Sequence, residues 1–550
     1  MDRAVAVIDI GMTNKKVAVY GPDLKPLASE SRVFAPLMVE GIPAHDLAGM
    51  EDWFIDRLAE FGKKYPIGSI TVTTHGATMV CVGADGLPSA PCVQYTYEPG
   101  GDFQEEFYAV AGDPEELQAV TGTPVLSALI NPAKGLFFVS KRFPGQWKLT
   151  RLILGLPSYW GYRFTGCAGA EGTYVANHSY LWDWERDDYS SVTDALGARS
   201  WFPTPLRKSW DSLGPISPEV ARRTGLSHET IVTMGIHDSN ASLLPHLAKR
   251  GDRGFVLNST GTWCVLMHPQ KRYQFAEGEL GKVVFFNRSA YLEPIKTAIF
   301  LGGMEYEAWT APIAKAAGST GAAGSTGAAG STGAAGSTGA AGSTGAAGST
   351  GAAGPPPAAT PASGTSNEGF ERLFSGKDAF ILPEVVPGSG QFPGSMPRAI
   401  EARQSYGLSE VTAGTAKPAF LADRAMATAA LDASLVIQTL VALRRAGLEE
   451  GMDVITEGGF RKNGEYNALL AAALPRNSCY LTDIAEATSF GAAMCGIAAL
   501  EGKDPSALAG RFEVEYRPVQ PMEGVAGFEA YRGAWQSQVD SGMGTKGDRE

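Results

Sequence analysis

Apolar positions in this chain fall into short β-branched runs and longer runs of helical period. In AVAVIDIGMTNKKVAVY, Ala4 to Tyr20, one apolar run ends at Asp9, a glycine-containing turn follows, and a second run starts near Val17. That order predicts a hairpin. GFVLNSTGTWCVLM, Gly254 to Met267, has the same construction, with Ser259, Thr260, Gly261 and Thr262 at its tip. One such hairpin in each half of the chain predicts an internal duplication. DVITEGGFRKNGEYNALLAAALPRN, Asp453 to Asn477, predicts a strand running into Gly458 and Gly459, then a loop and a helix.

The longest helical pattern is PAFLADRAMATAALDASLVIQTLVALRRAG, Pro418 to Gly447. Proline stands at its start, Arg444 and Arg445 in its last turn and glycine at its end, which are helix boundary signals. DIAEATSFGAAMCGIAAL, Asp483 to Leu500, predicts a helix with small residues along one side, suited to close packing. IFLGGMEYEAW, Ile299 to Trp309, reads as a Gly-Gly turn entering a helix, and EGFERLFSGKDAFILPEVV as apolar periodicity followed by a strand. Between these two lie six copies of AAGSTG, from Ala316 to Gly351, and then AAGPPPAATPASGTS. This segment, residues 316–366, has no charge and no large apolar residue. It cannot bury enough surface to offset its ordering entropy, so it reads as a linker or surface insertion inside a domain. Residues 537–550 are polar and read as a frayed tail.

At 550 residues the chain is too long for one core, so two large domains are expected. The balance of 46 basic against 58 acidic residues gives a net charge of −12, which argues against nucleic acid and anionic membranes as partners. No uninterrupted apolar stretch of about 18 residues suggests a membrane span. The start lacks the pattern of a signal peptide, and the scattered cysteines, without a C-x-x-C pair, suit buried thiols in a reducing cytoplasm.

Candidate chemistry gathers at the predicted turns. A tight turn of small polar residues presents several backbone N–H groups, which can form an anion-binding concavity. Thr13 and Asn14 add donors there, and Lys15 or Lys16 a cation; Asp9, at the strand end, could hold Mg²⁺. A plain hairpin is the alternative reading. Gly459 at a strand-to-helix passage allows a ligand close to the backbone, and Asn463 could bond a base or ribose. In GIHDSNAS, Gly235 to Ser242, Asp238 is either a turn residue or a general base. No G-x-x-x-x-G-K-[ST] loop occurs, and no clean G-x-G-x-x-G follows the first strand, so P-loop and dinucleotide folds are disfavoured.

Taken in order, DIGMTNKK, TTHGATMVCVGADG, GIHDSNAS, NSTGTW, EGGFRKN and EATSFGAA resemble the motifs of the FGGY carbohydrate kinases, over about Ala4 to Arg517 without the repeat. The resemblance implies an α/β fold of two ribonuclease-H-like domains, of the actin and hexokinase superfamily, around an interdomain cleft. It implies an N-terminal domain over 1–245 and a C-terminal one over 246–520. Asp238 would be the general base, and Asp9 and Asp238 would serve magnesium. Thr13, Asn14, Lys16, Thr260, Gly261, Thr262, Gly303, Glu307, Gly459 and Asn463 would contact ATP. Thr74, His75, Gly76 and His237 would line the sugar site. The His237–Asp238 pair resembles that of rhamnulokinases, which points to a 6-deoxy-ketohexose such as L-rhamnulose or L-fuculose; a pentulose is the alternative. The partner is then a small sugar, and the resemblance allows a homodimer. Two departures bear on substrate identity: VQYTYEPGGD, Val93 to Asp102, lacks the family's arginine, and PGSGQFPGSMP departs from its second signature. Tyr95 and Tyr97 read as packing aromatics. An actin-like ATPase would share the two phosphate loops without needing a base beside a sugar pocket.

Overall fold

The computed structural model describes residues 3–251, 253–318 and 367–543. The first sheet holds β1 (Ala4–Ile10), β2 (Asn14–Tyr20), β3 (Pro26–Val33), β4 (Ile67–Thr74), β5 (Ser212–Pro215) and β6 (Ile231–Thr233) in the order β5-β6-β4-β1-β2-β3, with the short β7 (Ile236–His237) also on β4. The second holds β8 (Phe255–Thr260), β9 (Cys264–Pro269), β10 (Val284–Arg288), β11 (Pro294–Phe300), β12 (Asp453–Gly458), β13 (Ser478–Leu481) and β14 (Arg517–Pro518) in the order β10-β11-β9-β8-β12-β13-β14. In each, the leading hairpin is antiparallel and its first strand runs parallel to a later one: β1 with β4, β8 with β12. The duplication expected from the two hairpins is therefore a repeated sheet topology. Every residue of β1 is buried, because both faces of its sheet are covered.

The helices that matter here are α1 (Leu47–Gly62), α2 (Asp238–Arg250), α3 (Gly302–Ala316), α4 (Arg424–Arg445), α5 (Gly464–Ala473), α6 (Ala487–Glu501) and α7 (Phe528–Met543). α2 lies between the sheets. Its Leu243 packs with Phe255, Leu257 and Ile455 of the second sheet. Its Ala241 and Leu244 pack with Val5 and Val7 of the first sheet and with Ala492 and Cys495 of α6. α6 returns from late in the chain onto β1 and β4, where Gly496 meets Val5 and Thr71. The boundary drawn at 245/246 falls inside α2, a helix that serves both halves.

Three further expectations are corrected. The long helix does not start at Pro418: a 3₁₀ turn covers Ala419–Ala422, and α4 begins after Asp423, whose carboxylate accepts from the Met426 N–H at 3.2 Å. A cap with a side-chain acceptor outcompetes proline as the start signal here. α4 is long and apolar, yet most of its residues are buried in the fold. The tail is not frayed from 537, because α7 runs to Met543. Phe528, Tyr531, Trp535 and Val539 recur at helical spacing and are buried, and the Trp535 indole donates to the Ile381 carbonyl at 2.8 Å. Cys167 is exposed, while the other five cysteines are buried. Of the AAGSTG segment, Ala316 closes α3 and Ala317 and Gly318 follow; the rest lies outside the described residues, as do residues 544–550.

Candidate active site

β7 brings the catalytic candidates together. It runs parallel to β4 with His237 opposite Thr74, so GIHDSNAS lies against TTHG. Gly235, at φ +85°, makes the sharp entry; a Cβ there would also lie 2.7 Å from the Val72 carbonyl oxygen. Asp238 then opens α2 and is buried. Its Oδ1 accepts from the Ser239 N–H at 2.6 Å and lies 3.2 Å from His237 Nε2. Burial pushes its carboxyl up to about 7, the Ser239 N–H works against that rise, and the Asp9 carboxylate adds to it. The turn reading and the base reading are compatible: the turn presents the acid.

A wall of imidazoles surrounds this acid. His45, His75, His178 and His237 are four of the seven histidines. The His45 and His75 rings stack at 5.4 Å, and His178 meets His237 edge-on at 6.4 Å. A Cβ on Gly76 would fall 2.8 Å from His237 Nε2 and 3.1 Å from His178 Nε2, so only glycine fits between them. Burial holds these rings neutral, with His75 and His178 lowered to about 3 and His237 to about 4. His75 Nδ1 faces the Gly76 carbonyl at 2.8 Å, which can only accept, so Nδ1 carries the hydrogen. Its Nε2 is a buried lone pair without a partner among the described residues, suited to a ligand hydroxyl. Thr74 donates to the His75 carbonyl at 2.8 Å and is framework. Tyr95 packs on His75 at 5.4 Å and belongs to this wall, whereas Tyr97 packs on Phe138.

The adjacent lysines separate. Lys16 lies 3.4 Å from Asp9 and 3.2 Å from Glu486, at the start of α6. Lys15 leaves the other face of β2, is buried, and donates to the Met12 carbonyl at 2.6 Å. Burial lowers its ammonium to about 8, beside His45 and His75. Asp9 accepts the Ser489 hydroxyl at 2.6 Å. Thr13 and Asn14 stand exposed at the hairpin tip.

On the second sheet the hairpin tip is backed by α3. A Cβ on Gly303 would overlap the Gly261 carbonyl, and the Met304 N–H points at the Thr262 carbonyl at 3.4 Å. Thr262 is half-buried, and Glu307 lies exposed one turn after Gly303. Thr260 does not reach the cleft as a free donor. Its hydroxyl donates to the Glu457 carbonyl and accepts from the Phe460 N–H at 2.9 Å, joining β8 to the Gly458-Gly459 passage. Asn463 is likewise engaged: it caps α5 by accepting from the Tyr466 N–H at 3.0 Å and donates to buried Asp432 at 2.8 Å. Gly459 remains open, with nothing nearer than 3.8 Å to a Cβ built on it.

Residues 353–505 match the family model described as the carbohydrate kinase FGGY C-terminal domain. The whole chain superposes on a carbohydrate kinase from Novosphingobium aromaticivorans with a TM-score of 0.73 and 23% identity, over 98% of this chain and 99% of that one. Residues 353–505 are thus similar to that C-terminal domain, and the chain shares its two-domain fold with a carbohydrate kinase. A gluconate kinase from Lactobacillus acidophilus superposes with a TM-score of 0.72 at 13% identity, over 100% and 99% of the two chains. A xylulose kinase from Rhodospirillum rubrum does so at 0.71 and 16%, over 98% of each. These structural likenesses share the two-domain fold. No curated protein sequence matches the chain.

Several residues of the candidate site carried no sequence signal. His45 and His178 belong to none of the quoted motifs. Glu171 is buried and raised to about 7 by desolvation; it accepts from Thr173, whose hydroxyl in turn accepts the His237 N–H at 2.9 Å. Asn240 and Ser489 stood inside quoted motifs, and only their bonds reveal their use.

Proposed function

We propose that this ATP-dependent sugar kinase transfers the γ-phosphoryl group of ATP to a ketose hydroxyl, with Asp238 as the base. The observation that carries this reading is the position of Asp238, buried at the head of the inter-sheet helix, beside neutral imidazoles and near Asp9. Phosphoryl transfer asks mainly for alignment and charge neutralisation. The acceptor hydroxyl hydrogen-bonds to Asp238 and gives up its proton as its oxygen attacks the γ-phosphorus. The exposed tip at Thr13 and Asn14, and the Gly261-Thr262 tip, present donors to the phosphate oxygens. Asp9 and Asp238 are hard oxygen donors in one neighbourhood, and they fit Mg²⁺ together with phosphate oxygens. Among the described residues no cluster of three or more His, Cys, Asp or Glu side chains forms a metal site unaided. When bound, the ion would neutralise charge developing on the transferred group.

The His237–Asp238 pair supports a 6-deoxy-ketohexose, L-rhamnulose or L-fuculose, as acceptor. The xylulose kinases among the similar structures support a pentulose as the second reading. A coupled assay of ADP release over L-rhamnulose, L-fuculose, D-xylulose, L-ribulose, glycerol and gluconate, ranked by kcat/KM, tests both. ADP release unaffected by every one of these acceptors would overturn the reading.

A further inference from the structure

Among the described residues three lysines are buried: Lys15, Lys134 and Lys296. Lys296 is paired with Glu279 at 2.7 Å. Lys134 donates to the Leu126 carbonyl at 2.7 Å and faces the Tyr108 ring at 5.0 Å and the Phe107 ring at 5.9 Å. Lys15 has only the Met12 carbonyl, at 2.6 Å, and among the described residues no carboxylate lies within 4 Å of its Nζ. A buried cation without a counter-charge is costly, and one acceptor leaves two of its three N–H groups unused. Its surroundings are the imidazole wall. Lys15 lies opposite Ile10 in the β1–β2 ladder, and the Ile10 carbonyl accepts the His75 N–H at 3.0 Å. Strand alternation puts Lys15 on the face of Val17 and Val19, which pack with Leu47 of α1. His45 stands just before that helix and stacks on His75. The Nε2 atoms of both rings are buried and have no partner among the described residues. The wall therefore carries an acid beside His237 and an uncompensated cation beside His45 and His75.

We propose that Lys15 binds a carboxylate of the acceptor, so that the site also takes sugar acids and favours each over the neutral sugar with CH₂OH in place of the carboxylate. A carboxylate supplies the missing counter-charge, and its two oxygens accept from both unused N–H groups. The Nε2 atoms of His45 and His75 are left for sugar hydroxyls. The transfer itself is unchanged. The hydroxyl at Asp238 gives that carboxylate its proton, its oxygen bonds the γ-phosphorus, and ADP leaves with the electron pair of the broken O–P bond. Lys16, on the other face of β2 beside Asp9, is the cation on the ATP side. The phosphorylation of a sugar acid rests on the reading of Asp238 as base; the binding of its carboxylate does not.

The test uses the full chain and two matched pairs, 5-keto-D-gluconate with L-sorbose and D-gluconate with D-glucitol. The members of each pair differ only in carboxylate against CH₂OH. Calorimetric titration without ATP measures binding, and a coupled assay of ADP release measures kcat/KM. At least one acid should exceed its neutral twin roughly tenfold or more in both, the worth of a charge-assisted hydrogen bond. Lys15→Gln, which keeps a donor but no charge, should bring that ratio near one and leave KM for ATP unchanged. Thermal melts report whether the variant folds; where it does not, the wild-type ratios decide. The proposal is overturned if neither acid binds more tightly than its twin, or if the ratio survives Lys15→Gln. It is also overturned if the loss falls on KM for ATP, which would make the γ-phosphate the anion at Lys15. Acid binding that depends on Lys15 without any ADP release supports the carboxylate site and counts against the kinase reading alone.

Discussion

Gly491 of α6 lies against the backbone of α2 so closely that a Cβ at 491 would overlap the carbonyl oxygen of Ala241. The two helices meet through bare backbone at the level of the candidate site, three residues after Asp238 and two after Ser489. Gly491→Ala should therefore part them, at a cost of about 1–3 kcal/mol, the usual range for overpacking. It should also lower kcat, because Asp238 and Asp9 are held from this seam. Gly464→Ala is the control, since a Cβ at 464 meets nothing within 4 Å. Thermal melts and turnover of the two variants check this; equal melting of Gly491→Ala and wild type contradicts it.

Replacing the base separates chemistry from binding. Asp238→Ala should keep the fold and ADP affinity while kcat falls at least about 10²-fold. Calorimetric ADP titration beside the coupled assay gives both numbers. Wild-type turnover in the variant would sink the assignment.

The acid limb of the pH profile follows from the same residue. The base works as a carboxylate, and burial raises Asp238 to about 7. kcat/KM should therefore rise with pH through about 7 and level above it. His75, His178 and His237 are neutral from about 4 upward and should add no limb between pH 5 and 9. A flat profile from pH 5 to 8 contradicts the assignment.

Lys15 and Lys16 leave β2 on opposite faces, as neighbours on a strand must. Lys16 lies beside Asp9 and Glu486, and Lys15 beside the imidazole wall. Lys16→Ala should raise KM for ATP by roughly tenfold or more, the worth of a charge-assisted hydrogen bond, with little change in acceptor KM. Lys15→Met should do the reverse. Steady-state kinetics with each substrate varied in turn distinguishes the two, and a shared effect on ATP alone contradicts the division.

Asp432 is a stability element with a pH signature. It is buried in α4, its Oδ2 has no partner among the described residues, and burial raises its carboxyl to about 7. A group raised in the folded state stabilises below its unfolded value, near 3.8, and that contribution is lost as pH climbs through about 7. Asp432→Asn should thus melt higher than wild type at pH 8, and the gap should narrow at pH 5. Melting curves at the two pH values decide it; a variant less stable at pH 8 contradicts it.

The sequence by itself determined what is local. Apolar periodicity marked both hairpins, the strand into Gly458-Gly459 and the helix of small residues, because burial on one or both faces writes itself into residue order. It also set Asp238 in a turn at a strand end, a local pattern that left turn residue and base both open. The tertiary structure alone decided which side chains converge. The parallel pairing of β7 with β4 set His237 beside Thr74, and the return of α6 set Ser489 on Asp9. Strand alternation sent Lys15 and Lys16 to different sites, and long-range hydrogen bonds turned Thr260 and Asn463 into framework. His45 and His178 entered the wall only because distant loops meet over Gly76. Periodicity reports how each segment is buried, while convergence depends on sheet register and on contacts between residues far apart in the chain.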